Sequence, residues 1–192
     1  MTSAVGNARE SSVTLNPLTA PHAQTTSANG LIKLPLTPGY PDAIPIVAWL
    51  QQLSVQFGRE PLVRQFTELT LGSNISNNSI LRQIDRVASF VRQHVRFVQD
   101  PEGTEYVKTP LRMMREIQDQ GYTIGDCDEH VLLLNSMLRS LGLETKVAGA
   151  KIHGTPRWDH VFSMVWDGRQ WADVDACVKA GPQYGYRERL IA

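Results

Sequence analysis

Apolar residues recur at helical spacing through the first half of the chain and at strand spacing toward its end. Ile46, Trp49, Leu50, Leu53 and Phe57 fall on one helical face, which Asp42 can cap and Gly58 can stop. Glu60-Pro61 opens a second helix with Leu62, Phe66 and Leu69 inward and Gly72 after it. Ile80, Ile84, Val87 and Val91 predict a third, capped by Asn77 or Asn78, and "GSNISNNS" before it is a turn by composition. These stripes read as core packing. "VRFV" at 95–98 predicts a short strand closed by Asp100-Pro101, and Thr109-Pro110 starts a helix that runs through Gln120 and ends at Gly121.

The segment "GDCDEH" at 125–130 precedes the apolar run "VLLLNSMLRSLG". Asp126 and Glu129 have the spacing of a capping box, which makes Asp126 the N-cap and Cys127 the first helical residue. The inward stripe is then Cys127, Val131, Leu134, Met137 or Leu138, and Leu141, with Gly142 as the stop. A thiol at this place sits in the positive end of the helix dipole, which favours the thiolate. The acidic neighbours oppose it, and capping is expected to turn them toward backbone donors and water. The Cys127 N–H has no helical partner and can donate to an oxyanion.

Downstream, "KVAGAKI" at 146–152 reads as a strand, and "HVFSMVWDGRQWADVDACV" reads as a hairpin with His160, Phe162, Met164 and Trp166 on one face. Asp167-Gly168 signals a two-residue turn. In that register His160 stands directly opposite Asp175, and Asp173 stands opposite Phe162, which favours Asp175 over Asp173 as the carboxylate that orients the imidazole. Cys127, His160 and Asp175 together form a nucleophile–base–orienter set suited to acyl transfer.

Composition narrows the function classes. Lys+Arg and Asp+Glu are both 19, so no basic surface for nucleic acid is expected. No apolar run approaches the roughly 20 residues of a membrane span, and the first residues carry no signal-peptide pattern. The two cysteines, Cys127 and Cys177, are too few for a disulfide framework, so a reducing compartment is the default. Residues 1–39 contain no Phe, Tyr or Trp and are rich in Ser, Thr, Ala and Pro. They predict an arm that is flexible alone and ordered on a partner, anchored by Leu15, Leu18, Leu31, Ile32, Leu34 and Leu36.

"GDCDEHVLLLNSMLRSLGLETKVAG" followed by "HVFSMVWDGRQWADVD" resembles the transglutaminase-like superfamily of papain-like cysteine enzymes. Cys127, His160, Trp171 and Asp175 match that pattern. "VRFVQDPEGTEYVKTPLRMM" upstream resembles the transglutaminase-like proteins of tailed bacteriophages and prophages. The chain departs from that group at Glu129, where a second Asp is usual, and at Ala176-Cys177, where Pro-Thr is common. The resemblance implies an α+β fold in which a central helix carrying Cys127 packs on an antiparallel sheet. It also implies a helical region at 40–78 and a catalytic domain at 79–192. The implied activity is that of a cysteine peptidase, amidase or acyltransferase on a peptide or protein substrate, with no cofactor and no metal. Tyr122, Gln118 and Trp171 are the candidates for the side-chain part of the oxyanion hole.

Two other readings compete. A zinc site could use Cys127 and His130 with His153, His160 or Cys177, but only one short-spaced pair exists. His22 and His94 read as ordinary surface or loop histidines. A structural head- or tail-associated virion protein on the same fold would have weak or no activity, and its arm would lie on other virion proteins. The expected location is the host cytoplasm, or the virion if the chain is packaged.

Overall fold

The computed structural model describes residues 29–35, 44–101, 104–151, 158–177 and 189–191. Its centre is helix α5 (Cys127–Ser140), in which every residue from Asp128 to Leu138 is buried; α1–α4 and β1–β8 are numbered in chain order. A helix buried on all sides must lie between layers. On one side lies a four-stranded antiparallel sheet in the order β7 (Trp171–Val174), β6 (His160–Trp166), β5 (Thr145–Ala150), β8 (Arg189–Ile191). Val147 and Val161 of this sheet cluster with Val131 and Leu132, and Val165 and Val174 cluster with Leu133 and Leu134. Ala148, Ala150, Phe162 and Met164 occupy the opposite face.

Four helices complete the packing on α5: α1 (Ile44–Phe57), α2 (Pro61–Leu71), α3 (Ile80–His94) and α4 (Pro110–Gln120). The described part of the helical region at 40–78 shares its core with later elements: Val63, Phe66 and Leu71 pack in one cluster with α3, α4 and α5. The Gln51 side chain accepts from Val147 N–H at 3.0 Å and donates to the Thr145 carbonyl at 3.2 Å, tying α1 to β5.

Several expectations hold: Glu60-Pro61 opens α2, Thr109-Pro110 opens α4, and Gly121 closes α4 in the left-handed conformation at φ 84°. The inward face of α2 differs. Leu62 and Leu69 are exposed, while Val63, Phe66, Thr67 and Leu71 are buried. The stripe is rotated by one residue because Thr67 can be buried with its hydroxyl satisfied, donating to the Val63 carbonyl at 2.8 Å. The N-cap of α3 is Ser79; Asn77 and Asn78 belong to the preceding 3-10 turn, Ile75–Asn77, and its C-cap.

The arm boundary also differs. Residues Leu31–Pro35 form β1, antiparallel to β3 (Thr104–Lys108), and Ile32 is buried in the core with Val107, Val47 and Leu50. Residues 1–28, 36–43 and the proposed cap Asp42 lie outside the described residues. A parallel pair, β2 (Val95–Phe97) with β4 (Thr123–Gly125), leads directly into α5.

Candidate active site

Strand β4 delivers the chain to α5 through Gly125. A Cβ on Gly125 would lie 2.5 Å from Glu129 Cβ and Cγ, so only glycine admits the side chain that folds back over it. That side chain closes the capping box. Glu129 Oε2 accepts from Asp126 N–H at 2.9 Å, and Asp126 Oδ1 accepts from Asp128 N–H at 3.0 Å. Glu129 Oε1 also accepts from Lys108 N–H at 2.9 Å, which fixes the helix start to β3. Cys127 is thereby the first residue of α5, half-buried against the core cluster that holds Val131 and Val161.

The partners come from the sheet. His160 Nε2 lies 2.8 Å from Asp175 Oδ2, and both side chains are largely withdrawn from solvent. A carboxylate can only accept, so Nε2 carries the proton in this contact. Asp175 Oδ1 accepts from Cys177 N–H at 2.8 Å, which holds the carboxylate in plane with its task. Arg92 of α3 donates to the Asp175 carbonyl at 3.2 Å. The Val161 N–H, one residue after His160, donates to Cys127 Sγ, so the start of β6 meets the start of α5.

The hairpin register is not the one expected from Asp167-Gly168. Trp166 pairs with Trp171 and Met164 with Asp173, so the turn has four residues, not two. Asp167 N–H donates to the Gln170 carbonyl, and Asp167 Oδ1 accepts from the N–H groups of Arg169 and Gln170, which closes the longer loop. The shift is two residues, so every side chain keeps its face. Asp175 becomes the diagonal neighbour of His160 and reaches it from beyond the end of β7, while Asp173 is exposed opposite Met164.

The structure brings His160 and Asp175 into contact and sets the residue after His160 against the Cys127 sulfur. Trp171 packs edge-on against Trp166 at the turn end of the hairpin, six residues or about 20 Å along β6 from His160. Gln118 is exposed on α4. Tyr122 lies under the Arg96 guanidinium, 3.5 Å from its ring centre. His130, considered above as a zinc ligand, is buried with Nδ1 2.6 Å from the Asp126 carbonyl and Nε2 3.1 Å from the Val95 carbonyl. Both nitrogens face backbone carbonyls of the helix start and β2, and the neutral ring donates to one of them; burial holds its pKa below the usual value. His94 stacks on Phe90, and His22 and His153 lie outside the described residues.

The thiol itself is not activated as the dipole argument predicts. Burial first, then Asp128 and Asp126, push the Cys127 pKa well above its ordinary value, and the Val161 N–H only partly opposes them. Asp126 and Glu129 do turn to the backbone. Asp128 does not: its Oδ1 lies 3.6 Å from Cys127 Sγ and accepts the thiol proton.

The fold carries a cysteine at the start of its central helix and a His–Asp contact at the end of a sheet strand. The family model described as the transglutaminase-like superfamily matches residues 69–176, more than half of the chain. The chain belongs to the transglutaminase-like superfamily. No curated protein matches it. The matched span runs from the end of α2 to one residue beyond Asp175 and includes Cys127 and His160. The superfamily includes cysteine peptidases and acyltransferases, and the α+β architecture is that of its core domain. Among the described residues, no helix is long and apolar enough to cross a membrane.

Proposed function

We propose that this chain is a cysteine acyl-transfer enzyme, a peptidase or amidase, that uses Cys127 as nucleophile, His160 as base and acid, and Asp175 as orienter. The observation that carries the reading is the 2.8 Å contact between His160 Nε2 and Asp175 Oδ2 at the strand end whose Val161 N–H meets the Cys127 sulfur. Because the resting thiol is neutral, proton transfer accompanies attack. As Sγ bonds to the substrate carbonyl carbon, its proton moves to His160 Nδ1, and the oxyanion takes the Cys127 backbone N–H. His160 then gives that proton to the leaving amine, the C–N bond breaks and a thioester remains. Water, losing a proton to His160, attacks the thioester; the C–S bond breaks and the thiol is restored.

The stretch "VRFVQDPEGTEYVKTPLRMM" supports a tailed-phage or prophage setting for the protein. The raised thiol pKa favours a second reading, a head- or tail-associated virion protein with weak or no activity. One experiment separates the two. A peptide acyl probe that forms a thioester should label Cys127 in the wild type and leave His160→Ala unlabelled, as read by mass spectrometry. Equal labelling rates in the two proteins would overturn the triad. An absence of labelling across pH 6–10 would support the structural role.

A further inference from the structure

The parallel pair β2–β4, which delivers the chain to Cys127, has one buried face and one open face. Val95, Thr123 and Gly125 are buried, while Arg96 and Ile124, paired across the two strands, are exposed. Val98 N–H donates to the Gly125 carbonyl at 2.9 Å, so the pairing reaches the start of α5, and alternation puts Val98 on the open face. Ile124 is 41% exposed and Val98 47%. Just before β4, the Tyr122 ring lies under the Arg96 guanidinium, 3.5 Å from ring centre to cation. The open face thus runs from a stacked cation, through two aliphatic side chains, to the residue before the thiol.

Stacking at this distance sets the planar guanidinium face to face with the ring and leaves its N–H edge open to solvent. Among the described residues the Arg96 side chain forms no ion pair and no hydrogen bond, so the fork is unspent. The carboxylates farther along the same two strands, Asp100 and Asp126, stand close together at the Cys127 end and accept the N–H groups of Tyr106 and Asp128. A carboxylate on an approaching peptide is repelled at that end and drawn to the Arg96 end, which fixes its direction. Ile124 is three residues from Cys127 and Tyr122 is five, at most about 10 and 17 Å of extended chain.

We propose that Arg96, Tyr122, Val98 and Ile124 form a docking face for the substrate of Cys127, and that this substrate is a peptide or protein segment with an apolar residue next to an acidic one. The apolar side chain covers Val98 and Ile124, and the carboxylate takes the guanidinium fork of Arg96. An extended peptide spans about 3.3 Å per residue, so the pair lies about three to five residues from the carbonyl that the thiol attacks. The inference rests on the acyl-transfer reading for the bond attacked; the docking face itself needs no turnover.

The test reads binding first. The full chain carrying Cys127→Ala is titrated at low ionic strength against fluorescein-labelled Gly-Ser peptides that differ only at two central positions, Leu-Glu, Leu-Lys or Ser-Glu, with anisotropy as the readout. The Leu-Glu peptide should bind saturably, about tenfold more tightly than Leu-Lys through the charge-assisted pair, and about fivefold more tightly than Ser-Glu through partial burial of the leucine. Adding Arg96→Glu should invert the order of Leu-Glu and Leu-Lys. Adding Arg82→Glu instead, exposed at the start of α3, should leave the order unchanged. No saturable binding of the Leu-Glu peptide would overturn the proposal, as would an unchanged order in Arg96→Glu. If Arg96→Glu does not fold, Arg96→Gln decides by losing or keeping the tenfold preference. Thioester-forming acyl probes with the same pairs four residues from the acyl carbon separate this inference from the reading it rests on. Equal labelling of wild-type Cys127 by the Leu-Glu and Leu-Lys probes overturns the docking face and leaves the nucleophile standing. Binding in the expected order with no labelling supports the docking face and removes the nucleophile.

Discussion

Replacing Asp175 by Asn keeps the side chain's shape and removes only its ability to accept on both sides. In the native arrangement Oδ2 accepts from His160 Nε2–H and Oδ1 accepts from Cys177 N–H. An asparagine must choose. If its oxygen stays on Cys177 N–H, its amide faces Nε2, and the imidazole moves its proton to Nδ1, the atom that must take the thiol proton. If the amide flips, Nε2 is served, but the NH2 group faces Cys177 N–H, donor against donor, in a largely buried place. Such a mismatch costs about 1–3 kcal/mol, or roughly 5- to 150-fold. The wrong tautomer in related triads costs on the order of 10⁴. The expected loss in acyl-transfer rate therefore lies between about 5-fold and about 10⁴, measured as the rate of probe labelling at Cys127 with unfolding temperature as the control. Asp173→Asn, exposed and opposite Met164, should change the rate by less than about threefold, the scale of an ordinary surface substitution. If Asp173→Asn slowed labelling as much as Asp175→Asn, or if Asp175→Asn left it within that range, the reasoning from the His160 contact would be refuted.

Three further outcomes are expected from the same geometry. Cys127→Ala should abolish labelling while moving Tm by no more than about 2–4 °C, since the sulfur lies at the open end of the packed stripe; unfolding on this substitution would mark Cys127 as a core residue and not a nucleophile. Stability should fall as pH rises from about 4 to about 7. Burial raises Glu105 from 4.5 to about 7 and Asp126 from 3.8 to about 6, so the folded state binds more protons than the unfolded chain across that window. Glu105→Gln should flatten the slope of Tm against pH, and an unchanged slope would remove Glu105 as its source. Gly125→Ala forces a Cβ against Glu129 and should break the capping box, costing at least the roughly 1 kcal/mol of a lost cap. A Tm equal to wild type would show that Glu129 can leave its place without consequence.

The helices are legible in the sequence where their ends carry chemistry: Pro61, Thr109-Pro110, Gly121 and the Asp126–Glu129 box each stand where the structure uses them. The face of α2 is not, because a buried threonine looks polar in the pattern, although its hydroxyl is satisfied within the helix. The pairs β1–β3 and β2–β4 cannot be read at all. They have three to five residues per strand and pair over long separations, so no local period marks them. The hairpin reads with the wrong turn and the right face, because an even shift of register preserves alternation. That is why Asp175 can be named from a register that the structure replaces. Asp128 escapes notice because a capping box accounts for the acids at the N-cap and third position and is silent about the one between them.

That intermediate acid comes second only to burial in setting the state of the thiol. The N-terminus of a helix offers about half a positive charge. Burial and the neighbouring acids Glu105 and Asp126 hold Asp128 above the ordinary carboxylate range; where it does ionise, its charge 3.6 Å from the sulfur opposes a thiolate by about 4–5 kcal/mol at an effective dielectric near 20, roughly twice what the half charge returns at the same distance. Burial adds to the acid's side, so the balance comes down on the neutral thiol. A neutral nucleophile places the demand on the base. In the proposed mechanism His160 must be unprotonated at Nδ1 when substrate arrives, and the Asp175 contact at Nε2 favours that tautomer of the neutral ring. Under the proposed mechanism the orienting carboxylate therefore matters more to reactivity than the position of the cysteine at its helix.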